Sequence, residues 1–392
     1  MIEFKNVDVV FGRQPERALS WLDEGADRQA IQDQTGLTAA VRNASLRVGK
    51  GEICVLMGLS GSGKSSLLRT ANGLNPVCRG EVFVETEQGA QSFHALNEDE
   101  RRDLRMNRIT MVFQKFALMP WLTVAENVAF GLEQKGLDKR TVRAKALEQL
   151  DLVGLAEWAD SKPSQLSGGM QQRVGLARAF AMETDIILMD EPFSALDPLI
   201  RTQLQDELLR LQKQLNKTVL FVSHDLDEAL KLGNHIAIMK DGEIVQHDTP
   251  ENIVMHPATD YVREFVAHTN PINVVNARAL MRPLDQSSLE TGEQCLSRRD
   301  DSWVSLGRTV KDSYFRYGET RYGLVEWREG ETEHVDKTSV SVVPLSTKMQ
   351  SIMALRYQSG HGVLVHDGEN IVGFIGDREI YHAMLGKLIG EE

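Results

Sequence analysis

The sequence predicts an α/β domain with a mostly parallel sheet over residues 1–268, followed by a smaller α+β domain over residues 279–392. Three observations carry this. Short apolar runs, EICVLMG (Glu52–Gly58), DIILMD (Asp185–Asp190) and TVLFVS (Thr218–Ser223), alternate with helix-like stretches, and their continuous apolarity suits strands buried on both faces. A glycine-rich run, GLSGSGKS (Gly58–Ser65), continues from the first of them into the helix-like SSLLRTANGL. The composition changes after NPINVVNA (Asn270–Ala277), which places a linker at residues 269–278.

Composition sets the outer bounds. At 392 residues the chain exceeds one average domain. Its 42% hydrophobic and 26% charged residues fit a soluble globular protein. No run of 18 apolar residues is present to span a membrane. The net charge of −12 argues against nucleic acid as a partner. Any membrane contact is then expected through another protein rather than through anionic lipid. No basic segment leading into an apolar core opens the chain, so export is not expected. Cys54, Cys78 and Cys295 have neither paired nor metal-like spacing and read as reduced thiols.

Along the first domain, an insert occupies residues 13–40. Leu19, Leu22 and Ala26 recur at helical spacing and Gly36 can cap a second short helix, which reads as a surface helical pair. A helical subdomain is expected over about residues 115–180. In the C-terminal domain, Arg308–Val335 can be laid over Thr347–Phe374 as a weak internal repeat, each copy giving helix, strand, Gly-Glu turn and strand.

The chemistry concentrates at strand ends. Gly58, Ser60, Gly61, Ser62, Gly63, Ser65 and Ser66 let backbone N–H groups wrap the phosphates of a nucleoside triphosphate at a helix N-terminus. Lys64 adds a point charge to the same oxygens, and the Ser65 hydroxyl is placed to ligate Mg²⁺. Asp190 closes the DIILMD strand, where open α/β sheets bind ligands, and would hold Mg²⁺ directly or through water. Glu191 is the candidate general base for an attacking water. His224, after TVLFVS, can reach a γ-phosphate or orient the water. Gln114, ending ITMVFQ, would touch Mg²⁺ or the water.

Together with LSGGMQQRVGLARA (Leu166–Ala179), these residues resemble the nucleotide-binding subunit of an ABC transporter. The resemblance implies Gly58–Ser65 as Walker A, Gln114 as the Q-loop, Leu166–Gln171 as the signature, Ile186–Glu191 as Walker B, Asp197 as the D-loop residue and His224 as the switch histidine. It further implies a head-to-tail homodimer that sandwiches two ATP molecules, each between one P-loop and the partner's signature. Ser167, Gly168 and Gly169 make a second anion-binding helix start that nothing in the same subunit needs, and Gln171 follows them. Phe11 stands nearest the family's adenine-stacking aromatic. The wording GLSGSGKSSLLR, MVFQKFALMPWLTVAENVAFG and DEPFSALDPLIRTQLQDEL is similar to importers of glycine betaine, choline and carnitine. That likeness implies docking of a membrane permease at Lys115–Trp121, an external substrate-binding protein as indirect partner, residence on the cytoplasmic face of the inner membrane, and a degenerate tandem of CBS-like modules at residues 279–392. An importer for another small solute, or an ABC ATPase outside transport, remains the alternative.

Overall fold

A computed structural model describes all residues except 87–88, 268, 285–293, 298–301, 306–312, 329–336, 369 and 386–392. The chain divides into two compact units, Met1–Thr249 and Pro250–Glu392.

The strands of the first unit are β1 (Ile2–Phe11), β2 (Thr38–Val48), β3 (Ile53–Met57), β4 (Arg79–Thr86), β5 (Gly89–Ser92), β6 (Ile109–Val112), β7 (Ile186–Asp190), β8 (Thr218–Val222), β9 (His235–Lys240) and β10 (Glu243–Asp248). Its helices are α1 (Leu19–Asp23), α2 (Arg28–Thr35), α3 (Lys64–Leu68), α4 (Glu98–Asn107), α5 (Val124–Gln134), α6 (Lys139–Leu152), α7 (Gly168–Ala181), α8 (Pro198–Leu215) and α9 (Leu226–Leu232). An antiparallel sheet has the order β2-β1-β4-β5, and a six-stranded sheet has the order β10-β9-β3-β8-β7-β6. In the second sheet only the β9–β10 pair is antiparallel. The apolar runs singled out in the sequence form its centre: β3, β7 and β8 are buried at every residue. Parallel pairing of β3 with β8 and of β8 with β7 brings their carboxyl ends to one edge, so Gly58, Asp190 and His224 emerge together.

Between β6 and β7 lie α5, α6 and α7, the expected helical subdomain. The insert is more than a surface pair. Ala18 and Ile31 are fully buried with Val10, Leu37 and Ala39, and Trp21, Leu22 and Ala26 pack on that cluster. Burying these apolar side chains fixes the insert to the end of the antiparallel sheet.

The second unit starts before the expected linker. Val275 and Ala277 are buried there with Leu280, Val343 and Met349. The Ala277 N–H donates to Thr347 and the Met349 N–H to Val275. The apolar residues of NPINVVNA thus build core, which its polar neighbours concealed. An eight-stranded sheet runs through this unit.

Only the second copy of the expected repeat has the expected order. There Ser339–Pro344 is followed by the helix Met349–Ser359, the strands Val363–His366 and Ile371–Ile375, and the helix Asp377–Met384. The first two of these strands are parallel and the last two antiparallel. In the first copy, residues 308–312 and 329–335 lie outside the described residues, and the stretch opposite the helix is instead a hairpin of Tyr314–Tyr317 with Thr320–Glu326. Its turn places Gly318 at φ 58°, which a hairpin of this kind demands. Aromatic and β-branched residues alternating with Arg316 and Arg321 favour strand over helix.

Candidate nucleotide-binding site

The loop between β3 and α3 has Gly58, Gly61 and Gly63 at φ 140°, 82° and 103°. A Cβ on Gly63 would lie 2.3 Å from the Ala40 carbonyl oxygen, so sterics as well as conformation demand glycine there. Ser60 is exposed at the loop tip, and Ser66 lies in the first turn of α3. Ser62 Oγ is buried without a hydrogen-bond partner.

Lys64 opens α3 and is 6% exposed. Its Nζ donates to the carbonyls of Gly58 at 2.7 Å and Leu59 at 3.0 Å. Burial pulls its ammonium below the ordinary lysine range, while Glu191 and Asp190 pull the other way. A phosphate brought to the loop would supply the anionic partner this buried cation lacks.

Ser65 Oγ donates to Asp190 Oδ1 at 2.7 Å. Asp190 is fully buried and also pairs with Arg69 at 2.9 Å. Glu191 follows at φ 48°, a left-handed conformation costly for a residue with a Cβ. Its Oε2 accepts from Gln114 Nε2 at 3.0 Å and lies 3.4 Å from His224 Nδ1. The structure therefore gathers Lys64, Ser65, Asp190, Gln114, Glu191 and His224 in one place. The donor set of Ser65 hydroxyl, Gln114 amide oxygen and Asp190 carboxylate is all hard oxygen, which suits Mg²⁺. No cluster of three or more His, Cys, Asp or Glu that could hold a metal occurs among the described residues. Mg²⁺ needs only one or two carboxylates when substrate phosphates supply the rest.

The signature turn is presented outward. Ser167 caps α7, its Oγ accepting from the Met170 N–H, and Ser167 and Gly168 are exposed. Gln171 donates to the carbonyls of Pro163 and Leu166, so its amide braces the turn within its own chain. Asp197 caps α8 through the Ile200 N–H. Phe11 ends β1, opposite Thr38 and 40% exposed, with its ring accessible for stacking.

Several site residues carry no local sequence signal. Gln172 is buried and bridges the Glu191 carbonyl and the Ala195 N–H, joining α7 to the segment after β7. Arg178 holds the carbonyls of Phe116 and Ala117, both at positive φ, and so fixes the stretch after Gln114. Glu228 accepts from Ser223 Oγ at 2.5 Å and from Gln205 at 3.0 Å, clamping the turn that carries His224 onto α8.

Burial raises the Glu228 carboxyl above its ordinary 4.5, against the lowering effect of these two hydrogen bonds. A carboxyl whose pKa is higher folded than unfolded stabilises the fold in acid and loses that contribution as pH rises through the raised value. Glu228→Gln, neutral at every pH, should therefore gain thermal stability relative to wild type as pH rises from about 5 to 8. Paired melting curves across that range test this; a difference that stays flat or shrinks would overturn it.

Strand-end carboxylates, a buried lysine and a glycine loop opening a helix define a P-loop nucleoside-triphosphate site. The "ABC transporter" family profile matches residues 41–194. Over 281 residues the chain is 48% identical to the glycine betaine/proline betaine transport system ATP-binding protein ProV of Escherichia coli (strain K12), covering 72% of this chain and 69% of that protein. It is 49% identical over 282 residues to the trimethylamine N-oxide transport system ATP-binding protein TmoW of Ruegeria pomeroyi, covering 72% and 82%. Among solved structures, the dimeric post-hydrolysis state of the ATP-binding cassette MJ0796 bound to ADP and Pi superposes with a TM-score of 0.56 at 33% identity, over 64% of this chain and 99% of that one. The chain belongs to the ATP-binding subunits of ABC transporters.

Proposed function

We propose that this subunit hydrolyses ATP to power uptake of a quaternary or related methylated amine, as a head-to-tail homodimer docked on a membrane permease fed by an external substrate-binding protein. The observation that carries the substrate class is the length of the match. The 281 residues aligned with the betaine protein, 48% of them identical, exceed the 249 of the first unit, so the likeness runs on into the second unit.

In this reading the loop from Gly58 to Ser66 cradles the phosphates, Phe11 stacks on the adenine, and Lys64 neutralises the phosphate oxygens. Ser65, Gln114 and Asp190 would hold Mg²⁺, which supplies charge neutralisation when bound. Glu191 takes the proton of the attacking water, oriented by His224. Ser167, Gly168 and Gly169 of the partner subunit complete each site. The segment Lys115–Trp121 is the permease contact; Trp121 is 71% exposed in it, unusual for a large apolar side chain. No described helix is long and apolar enough to cross a membrane. In this reading the subunit associates with the membrane peripherally, through the permease and on its cytoplasmic side. The topology from Ser339 to Met384 supports a single CBS-like module, with the other half diverged.

The test is reconstitution of the full chain with its permease and binding protein in liposomes, with ATP inside. ATP-dependent uptake of radiolabelled glycine betaine, choline or carnitine is the expected result. Uptake confined to another solute class, or ATP hydrolysis unaffected by the permease, would overturn it.

A further inference from the structure

The helical insert reaches the phosphate loop. Arg28, the first residue of α2, donates from Nη1 to the carbonyl of Gly61 at 2.5 Å. From this contact we infer that Arg28 is a positioning residue of the ATP site, holding the tip of the phosphate loop in its nucleotide-binding shape and placing a fixed positive charge beside it. The inference rests on the reading of Gly58–Ser66 as the phosphate site.

Three features make the contact a product of the fold. The apolar cluster of Ala18, Ile31 and Leu37 with Val10 and Ala39 holds both insert helices on the sheet. Arg79 ties Asp23 of the insert to the buried Asp8 of β1. Asp27, the residue before Arg28, caps α2 by accepting from the Ala30 N–H at 2.7 Å. The backbone that carries Arg28 is therefore anchored on either side of it.

The loop tip needs such a brace. Gly61 sits at φ 82°, and a Cβ there would meet nothing within 4 Å, so its side of the loop is open. Deeper in the loop, Gly242 N–H donates to the Ser62 carbonyl and Lys64 holds Gly58 and Leu59. At Gly61 it is the guanidinium that supplies a partner. A charge-assisted bond to a carbonyl is stronger than a neutral one, and the cation favours approach of a polyphosphate.

The experiment measures ATP affinity by fluorescent-nucleotide titration, and KM and kcat by steady-state hydrolysis, on the full chain carrying Arg28→Ala, Arg28→Met or Arg28→Lys. The alanine and methionine variants should bind ATP roughly 5- to 10-fold more weakly with kcat changed less than about twofold, at unchanged melting temperature. Arg28→Lys, which keeps a charged donor, should recover most of the affinity. Unchanged affinity in both the alanine and methionine variants would overturn the proposal. So would a lowered melting temperature with parallel losses of affinity and kcat, which marks a merely structural role. Lys64→Ala separates the two levels. If it binds ATP like wild type, the phosphate-site reading fails; if it loses ATP while Arg28→Ala does not, only the role of Arg28 falls.

Discussion

Glu191→Gln is expected to lower ATP turnover by ~10²–10⁴ while leaving ATP binding intact, the loss typical of a missing general base. The geometry isolates the proton-accepting role. Glu191 is 19% exposed at the end of β7, and its Oε2 faces Gln114 and His224. Its backbone carbonyl is held by Gln172 and Ser194, and its N–H by Val222. Those backbone bonds keep the residue in its left-handed conformation whatever the side chain, so an isosteric amide should sit where the carboxylate sat. Lys64, Ser65 and the glycine loop, which carry ATP binding, are untouched. Steady-state hydrolysis and nucleotide titration on the same preparation check this directly. Turnover near wild type would remove Glu191 from the chemistry and shift attention to His224.

Much of this site was legible in the sequence because parallel strands buried on both faces read as unbroken apolar runs. Once β3, β7 and β8 are recognised, Gly58, Asp190 and His224 must share one edge. What stayed hidden depends on single long side chains reaching across the fold. Arg28 meets a loop 33 residues away, and Arg69 meets Asp190 121 residues away. Gln172 looks like one more polar residue of a helix, yet it is buried against the segment after β7. None of these has a period or a spacing to betray it. The C-terminal part failed for a different reason. An alignment of Tyr314–Tyr317 against a helix ignored the alternation of aromatic residues and arginines that makes a strand.

The second large effect tests the shared site. Ser167→Arg and Lys64→Ala should each abolish hydrolysis as pure dimers, by different routes. Ser167 and Gly168 are exposed at the start of α7, and the hydrogen bonds of their turn go to Met170, Pro163 and Leu166 of the same segment. Ser167→Arg forfeits the α7 N-cap bond to Met170 but leaves the phosphate loop of its own subunit intact, so that chain should still bind ATP as a monomer. Lys64→Ala removes the buried cation but leaves its own signature turn whole. In a head-to-tail dimer of one chain of each kind, the intact phosphate loop faces the intact signature, and one of the two sites is restored. Random mixing makes half the dimers mixed, so two inactive proteins should together recover roughly a quarter of wild-type turnover. A site built within a single chain predicts no recovery at any mixing ratio. Since neither variant touches the other's lesion, recovered activity can come only from a nucleotide held between two copies.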